Sequence, residues 1–384
     1  MTPLRIAILA HSTNPRGGVV HALELGDALT RLGHEAVVHA PDAIGAGFFR
    51  PTLCATVCVP ASPVKASTRD MVATRIDDYI RHFQQDSNRR FDVFHAQDGI
   101  SANALASLKA RSVIQHFART LHHVDHFDDA EIMALQARAI ADADSLFVVS
   151  QTWQDYLRRE YGRSSRIIGN GVDILRCSPH PDGREAALRH RLGLGEGPVF
   201  LAIGGVEARK NTLGILRGFA QVRHVHQAAQ LVIAGGASVL DHQAYCAEFA
   251  RELAAFGLPE AIVNITGPLL QADMPALYRI ADALVFPSLK EGFGLVVLEA
   301  MASGIPVVTS RIAPFTQYLG AQDVARCNPL QTASIAAAMR ASLQPEMRRR
   351  LAANGHAVAA RHDWQRTATA HLKAYAQIRE PHHA

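Results

Sequence analysis

Two glutamates, Glu291 and Glu299, stand eight positions apart and are the carboxylates best placed for chemistry. Glu291 follows a short apolar run, and Glu299 lies inside the apolar segment 295–302, which predicts a helix closed by Gly304. Because this helix has no polar stripe, we expect it to be largely buried, and a buried carboxylate needs a partner. An internal cation or backbone group is one such partner. The other is a ligand, since open α/β folds bind ligands beyond the carboxyl ends of their strands.

Histidines and aspartates offer a second kind of chemistry, namely metal binding. The loop after residue 115 carries several histidines, but their spacing matches no H-E-x-x-H pattern, and adjacent histidines on an extended segment point to opposite faces. We therefore expect one of them to face a cleft. Asp142 and Asp144 form a D-x-D pattern on the N-terminal side of a strand, where helix capping is the expected role. The histidines concerned are His116, His122, His123 and His126.

The first elements of the chain predict a βαβ unit with a close backbone approach. A buried-type strand covers residues 4–10, a helix follows at 19–32, and the next strand covers 35–40. Gly17 and Gly18 precede the helix and allow the backbone to approach a ligand there. The loop reads HSTNPRGG and lacks G-x-G-x-x-G, so an NAD site is weakly supported.

Strands and helices alternate through both halves of the chain. Strand-like segments include residues 113–115, and a stretch rich in proline, glycine and charge at 175–196 predicts a linker. The pattern indicates two doubly wound, Rossmann-like α/β domains facing each other across a cleft. The predicted ranges are 1–178 for the N-terminal domain, 190–360 for the C-terminal domain, and 361–384 for a terminal helix that crosses back to the first domain.

Composition excludes several classes of protein. The formal charge is +4; residues 1–175 hold 18 basic and 19 acidic side chains, and the remainder holds 21 and 16. A modestly basic second half suits an anionic small ligand but not a nucleic acid. Five scattered cysteines, no secretory signal and no apolar run of membrane-spanning length predict a cytoplasmic protein. A cluster of arginines predicts a solvated face or a peripheral membrane contact: Arg158, Arg159, Arg163 and Arg166.

Several short motifs occur in an order that resembles the retaining sugar-nucleotide glycosyltransferases of family 4, which have the GT-B fold. The family's E-x7-E pattern spans Glu291 to Glu299, inside EGFGLVVLEAMASGIPVV. The upstream matches are the GG pair at 17–18, T-L-H at 120–122, NGVD at 170–173 and RKN at 209–211. Their joint order and spacing are far more specific than any one of them.

The resemblance implies transfer of a sugar from a UDP-, GDP- or ADP-sugar to an unidentified acceptor, without a metal or other cofactor. It implies that Arg209 and Lys210 stabilise the departing diphosphate, together with the start of the buried helix. It also implies that Glu291 holds donor-sugar hydroxyls, that Glu299 holds the ribose, and that His122 positions the donor sugar. The other residues expected near the donor are Gly17, Gly18, Asn170, Gly205, Gly292, Phe293, Gly294 and Leu295.

Two departures from the family pattern and three rival functions accompany this interpretation. Many relatives have an arginine where this chain has Gly205, and relatives often have a glutamate near Gln317, which leaves the diphosphate site and the donor selectivity open. The rival functions are a non-catalytic sugar-nucleotide-binding protein, a glycoside hydrolase or phosphorylase using paired carboxylates, and an NAD enzyme.

Overall fold

A computed structural model describes residues 2–64, 67–125, 127–236 and 243–379 of the chain, which divides into two compact units. Unit 1 comprises Met1–Asn170 and Trp364–Ala384, and unit 2 comprises Gly171–Asp363. The chain leaves unit 1 eight residues before the predicted end of the first domain. The proline-rich stretch instead packs on unit 2, where Arg279 donates to the carbonyl of Ser178 and Pro179 lies against Gly304.

Unit 1 contains a parallel sheet of seven strands in the order β3-β2-β1-β4-β5-β6-β7. Its central strands are buried on both faces, as the four fully buried residues Ile6 to Leu9 of β1 illustrate, and such strands require helices on each side. The strands are β1 (Arg5–Leu9), β2 (Glu35–Asp42), β3 (Ala55–Pro60), β4 (Val93–Ala96), β5 (Ala118–Leu121), β6 (Ser145–Val148) and β7 (Arg166–Ile167).

Six helices of the described chain belong to unit 1, including the last one. They are α1 (Gly17–Arg31), α2 (Thr68–Gln84), α3 (Gly99–Ala110), α4 (Ala130–Ala141), α5 (Gln151–Tyr161) and α14 (Trp364–Arg379). The terminal helix α14 packs against α1, with the ring of Trp364 5.2 Å from that of His21. Helix α1 begins two residues earlier than predicted, so Gly17 and Gly18 form its first turn.

Unit 2 contains a parallel sheet of six strands in the order β10-β9-β8-β11-β12-β13, which repeats the order of unit 1. Its core lies between the sheet and the helices, around Phe200, Phe219 and Ile335. The strands are β8 (Val199–Ile203), β9 (Gln230–Ala234), β10 (Val263–Gly267), β11 (Ala283–Phe286), β12 (Val307–Ser310) and β13 (Ala325–Cys327). The helices are α6 (Glu185–Arg191), α7 (Thr212–Arg223), α8 (Gln243–Ala255), α9 (Met274–Ile280), α10 (Leu295–Ala302), α11 (Phe315–Tyr318), α12 (Thr332–Leu343) and α13 (Pro345–Ala359).

The structure corrects two local predictions. The segment 113–115 is not a strand. Strand β5 lies at 118–121, and it was not predicted there because the charged Arg119 interrupts its apolar pattern. The expected linker at 175–196 contains helix α6, whose Leu188 is buried and whose Glu185 accepts a hydrogen bond from Arg279. Of the helices in the described ranges, none is long and apolar enough to cross a membrane.

Candidate functional site

Each sheet reverses its strand order between its first and fourth strands in sequence, and the predicted site residues gather at these two switch points. In unit 1 the reversal lies between β1 and β4, and in unit 2 between β8 and β11. Loops that leave the carboxyl ends of such strands diverge and leave room for a ligand. Unit 1 carries Gly17, Gly18, His122 and Asn170; unit 2 carries Gly205, Arg209, Lys210, Glu291, Gly292, Phe293, Gly294, Leu295 and Glu299.

The loop after β8 depends on glycine. Gly204 and Gly205 have φ values of +121° and +73°. A Cβ atom on Gly205 would lie 3.0 Å from the carbonyl oxygens of both Gly235 and Gly236, closer than most real Cβ contacts. No L-residue fits here without a shift of the backbone. The absence of the family's arginine at this position therefore matches the local packing.

Arg209 and Lys210 follow this loop and pair with Glu291 from the loop after β11. The Lys210 ammonium donates to Oε2 of Glu291 at 2.6 Å, and Nη1 of Arg209 donates to Oε1 at 3.2 Å. The backbone N–H of Gly292 also donates to Oε1 at 3.1 Å, and Nε of Arg209 donates to Glu207 at 3.0 Å. Two carboxylates thus hold two cations side by side, although the side chains of Lys210 and Glu291 are only 14% and 10% exposed.

The protonation states of this group follow from burial and charge. Burial raises the pKa of Glu291, but Lys210, Arg209 and the Gly292 N–H outweigh it and bring that pKa to about 2. Burial lowers the pKa of Lys210, and the charge of Glu291 opposes that change. The ring of Phe286, centred 4.4 Å from the ammonium, adds a cation–π contact. A partly buried cationic pair of this kind is suited to binding an anion.

The turn into α10 is shaped by aromatic packing. Gly294 has a φ of +93°, and a Cβ atom there would lie 2.8 Å from the ring of Phe315. Phe293 stacks on Tyr318 with ring centroids 4.5 Å apart, and the Tyr318 hydroxyl donates to the Phe293 carbonyl at 3.1 Å. Within the described chain, no side chain caps the first turn of α10, which begins at Leu295. The N–H of Val297 already donates to the Gly294 carbonyl at 3.0 Å, so the N–H groups before it and the helix dipole are what this turn offers to an anion.

Glu299 differs from the prediction in its burial and has a partner that sequence reasoning missed. The helix α10 is mostly buried, but Leu295, Val296 and Glu299 lie on a half-buried face. The hydroxyl of Tyr278, a buried residue of α9, donates to Oε2 of Glu299 at 2.6 Å. The carboxylate is therefore neither fully buried nor without a partner.

Gly18 and His122 lie together in unit 1. A Cβ atom on Gly18 would lie 3.4 Å from Cδ2 of the His122 ring, whereas Gly17 has open space around its Cα. Nε2 of His122 is 3.0 Å from the side-chain oxygen of Gln97. Burial, followed by the nearby His21, lowers the pKa of His122 well below its usual value, so the ring is neutral at physiological pH.

Asn170 is the last residue of unit 1 before the chain enters unit 2. It is buried, and its side-chain oxygen lies 2.6 Å from Nδ1 of His21 on α1. The ring of His21 also packs edge-on against His122 and Trp364. His21 therefore connects the predicted Asn170 to the His122 side of the site, a contact that spans 149 positions of sequence.

The remaining candidates have structural roles. Asp144 accepts from the N–H of Phe117, and His123 pairs with Asp125 at 2.9 Å. In the part of the chain that is described, no three His, Cys, Asp or Glu side chains form a metal-binding group; His126 lies outside that part. Each arginine of the predicted basic cluster has a partner in unit 1. The pairs are Arg158 with Asp155, Arg159 with Glu160, Arg163 with the carbonyls of Ile140 and Ala143, and Arg166 with Gln377.

Several residues of these groups were missed because they belong to no motif. Glu207 and Tyr318 hold the cations and the turn in unit 2, and His21 and Gln97 surround His122 in unit 1. The only signal in the sequence was position, since Glu207 and Gln97 follow strands β8 and β4 at the edge where ligands bind.

Comparison with known proteins identifies the family. Residues 185–358 match the model for glycosyl transferases group 1, and residues 15–176 match the model for glycosyltransferase family 4. A glycogen synthase of Mycobacterium tuberculosis is 30% identical over 304 residues, which cover 76% of this chain and 70% of that protein. A D-inositol 3-phosphate glycosyltransferase of Xylanimonas cellulosilytica is 27% identical over 97% of this chain and 96% of that protein.

Solved structures show the same fold. A sucrose-phosphate synthase of Thermosynechococcus elongatus superimposes with a TM-score of 0.81 at 21% identity, covering 98% of this chain and 99% of that one. The Anabaena protein HepE in complex with UDP-glucose gives a TM-score of 0.78 at 18% identity, covering 98% and 100%. The chain belongs to the group 1, family 4 glycosyltransferases and has their GT-B fold of two parallel-sheet α/β domains.

Proposed function

We propose that this glycosyltransferase moves a sugar from a nucleoside-diphosphate sugar to an acceptor hydroxyl with retention of the anomeric configuration, and without a metal ion. The observation that carries the proposal is the pair of partly buried cations, Arg209 and Lys210, at the switch point of unit 2. In the reaction, the bond from the anomeric carbon to the diphosphate breaks and a bond to the acceptor oxygen forms. The acceptor proton leaves on the departing phosphate.

The cations and the start of α10 supply what a departing diphosphate needs. Negative charge grows on the phosphate oxygens as the bond breaks, and preorganised donors stabilise it most strongly where water is excluded. Lys210 and Arg209 offer charged donors, and the uncapped first turn at Leu295 offers backbone N–H groups. These groups do the work that a divalent cation does in metal-dependent enzymes, which supports a metal-independent reaction.

Glu291 has two tasks in this proposal. It holds Lys210 and Arg209 in place, because both of its oxygens accept from them. By family resemblance, the same carboxylate contacts hydroxyls of the donor sugar. Since its pKa is about 2, Glu291 remains ionised at neutral pH and does not act as a proton donor. A glycosidase acid has the opposite property, namely a raised pKa.

In unit 1, we assign positioning roles to Gly17, Gly18 and His122. The glycines keep the first turn of α1 free of side chains, and the neutral His122 ring can hydrogen-bond to a sugar hydroxyl without adding charge. The set is completed by residues that shape the adjacent loops, namely Asn170, Gly205, Gly292, Phe293 and Gly294.

Thermal-shift measurements with UDP, GDP, ADP and their glucose and mannose derivatives, each with and without EDTA, test the donor class. UDP-glucose comes first because a structurally similar protein is described in complex with it. We expect one nucleotide to stabilise the protein and EDTA to leave that shift unchanged. A shift abolished by EDTA would contradict metal independence. Nucleotide binding without transfer to any acceptor in a broad panel would favour the non-catalytic alternative.

The stereochemistry requires a separate measurement. Once a donor and an acceptor are known, proton NMR of the first product formed gives its anomeric configuration directly. An α-linked product from an α-linked donor is expected. An inverted product would refute retention while leaving the donor site intact.

A further inference from the structure

Tyr278 and Glu299 form a hydrogen-bonded pair that no motif contains. Tyr278 lies on α9 and is fully buried, whereas Glu299 lies on the half-buried face of α10. The phenol hydroxyl donates to Oε2 of the carboxylate at 2.6 Å, a length typical of a strong O–H···O⁻ bond. The two helices pack against each other, so the pair joins a rigid interior group to a side chain at the surface.

The hydrogen bond restricts Glu299. A partly exposed glutamate has several rotamers of similar energy, and a buried partner selects one of them. Burial, and then the charge of Glu299, raise the pKa of Tyr278 well above 10, so the phenol stays a donor throughout the physiological range. The other charged group near Tyr278 is Arg176, which acts in the opposite direction on that pKa. Oε2 is thereby engaged from inside the unit, and within the described chain Oε1 has no hydrogen-bond donor.

We propose that Tyr278 is a positioning residue for nucleotide recognition, holding Glu299 so that its second oxygen accepts from the ribose hydroxyls of the donor. This inference rests on the proposed function together with the family resemblance, which implies that Glu299 holds the ribose. The hydroxyl of Tyr278 touches neither the donor sugar nor the diphosphate. Its removal therefore affects the affinity for the nucleoside part and leaves the chemical step unchanged.

The test compares Tyr278→Phe with the wild type in titrations with UDP, GDP, ADP and inorganic pyrophosphate. Pyrophosphate has no ribose, so it reports on the diphosphate-binding groups, Arg209, Lys210 and the start of α10, and not on Glu299. We expect the variant to bind the preferred nucleoside diphosphate about tenfold more weakly, the effect of one charge-assisted hydrogen bond, and to bind pyrophosphate as the wild type does. In transfer assays, the KM for the donor should rise about tenfold with kcat within twofold.

Two further variants sharpen the result. Tyr245→Phe removes another phenol hydroxyl from the same unit, one that accepts from the N–H of Leu213 at 2.9 Å, and should leave nucleotide affinity unchanged. In a Glu299→Ala background, Tyr278→Phe should cause no additional loss, because its effect passes through Glu299.

Three results would overturn the inference, and they differ from one another. Equal weakening of nucleotide and pyrophosphate binding would show a general structural role for Tyr278. Unchanged nucleotide binding in Tyr278→Phe would refute the positioning role and leave the proposed function standing. If the wild type binds none of the three nucleotides and no pyrophosphate, both the positioning role and the proposed function are refuted.

Discussion

The two switch points of this protein occupy equivalent places in sheets with the same strand order, yet their side chains differ in charge. Unit 1 places mainly neutral groups around His122, namely glycines at the start of α1 and the side chain of Gln97, while the carboxylate of Asp98 caps α3. Unit 2 places two cations and two carboxylates there. The same topology thus surrounds His122 with mainly neutral hydrogen-bonding groups in one unit and builds a preorganised ionic site in the other, because the loops differ.

Buried histidines extend this contrast through unit 1. His21, His95, His122 and His371 have rings in a connected series, and burial lowers the pKa of each. In unit 2 the central group, Glu291, stays ionised down to about pH 2. The stability of unit 1 should therefore decrease in mild acid. The stability and activity that depend on the ionic site of unit 2 should decrease when one of its charged residues is substituted.

Glu291→Ala should have the largest effect, on both stability and transfer activity. This change removes the carboxylate partner of the mostly buried Lys210 and one of the carboxylate partners of Arg209, which should lower the free energy of unfolding by about 3 kcal/mol. Transfer should fall by at least about 10³-fold, since the cations lose their placement. Urea denaturation and initial rates measure the two effects.

Glu35→Ala is the matched control for that prediction. Glu35 also pairs with an arginine, Arg5, at 2.8 Å, but both side chains are about half exposed. Its removal should change stability by less than about 1 kcal/mol. Similar losses in the two variants would show that burial does not distinguish the ion pairs as described.

Acid should destabilise unit 1 next. The pKa of His21 is about 4 and that of His371 about 3, against 6.5 for free histidine, so the unfolded chain binds these protons more readily. Stability is then fully present above about pH 6.5 and is lost as the pH decreases toward 4. At pH 5 each residue contributes a loss on the order of 2 kcal/mol relative to pH 7.5.

Tryptophan fluorescence measures this effect in the right unit, because Trp153 and Trp364, the only two tryptophans, both belong to unit 1. Urea midpoints at pH 7.5 and pH 5 should differ clearly for the wild type and less for His371→Leu. The exposed His224 of unit 2 provides the control, since His224→Leu should retain the full difference. An unchanged pH dependence in His371→Leu would count against the buried cluster.

Gly205→Ala should have a smaller effect. The added methyl group must adopt a positive φ and also meets two carbonyl oxygens at 3.0 Å, which should cost about 2–3 kcal/mol. Gly257→Ala is the matched control, because Gly257 has a φ of +59° with open space around it. This substitution should lower the free energy of unfolding by only about 1 kcal/mol. Thermal denaturation distinguishes them, and equal midpoints would show that the carbonyl contacts do not matter.

The smallest expected effect belongs to His122→Asn. Asn keeps a neutral hydrogen-bonding group, so we expect kcat to decrease about tenfold with unchanged affinity for the nucleotide. Because the ring of His122 is neutral well below pH 6.5, the wild-type rate should show no His122 titration between pH 6 and 8. A nucleotide affinity reduced as strongly as kcat would assign His122 to the nucleotide site instead.

Much of the fold was predictable because periodicity and glycine positions mark a βα repeat. The strands β1 and β2 were predicted close to their observed ranges, since their apolar runs are clearly bounded, and the terminal helix α14 lies within its predicted range. Strand β5 was misplaced because it buries Arg119, and burial of a charge is invisible in a hydropathy pattern.

For the site, motifs predicted the charged residues but not all of the residues that pair with them. The predictions for Glu291 and Glu299 came from the E-x7-E pattern, and those for Arg209 and Lys210 from the separate RKN match upstream. Tyr278 lies 21 positions from Glu299, and Glu291 lies 81 positions from Lys210. The first pair meets because α9 packs against α10, and the second because parallel strands bring successive loops to one edge of a sheet. A sequence alone displays neither contact.

Titration of inorganic pyrophosphate into Lys210→Ala tests most directly whether the ionic site of unit 2 binds the donor's diphosphate. Lys373→Ala, which removes an exposed lysine of α14, is the control. We predict that the wild type and Lys373→Ala bind pyrophosphate equally, and that Lys210→Ala binds it at least about 30-fold more weakly, as loss of a buried charged donor implies. Equal affinity in all three proteins would contradict the account.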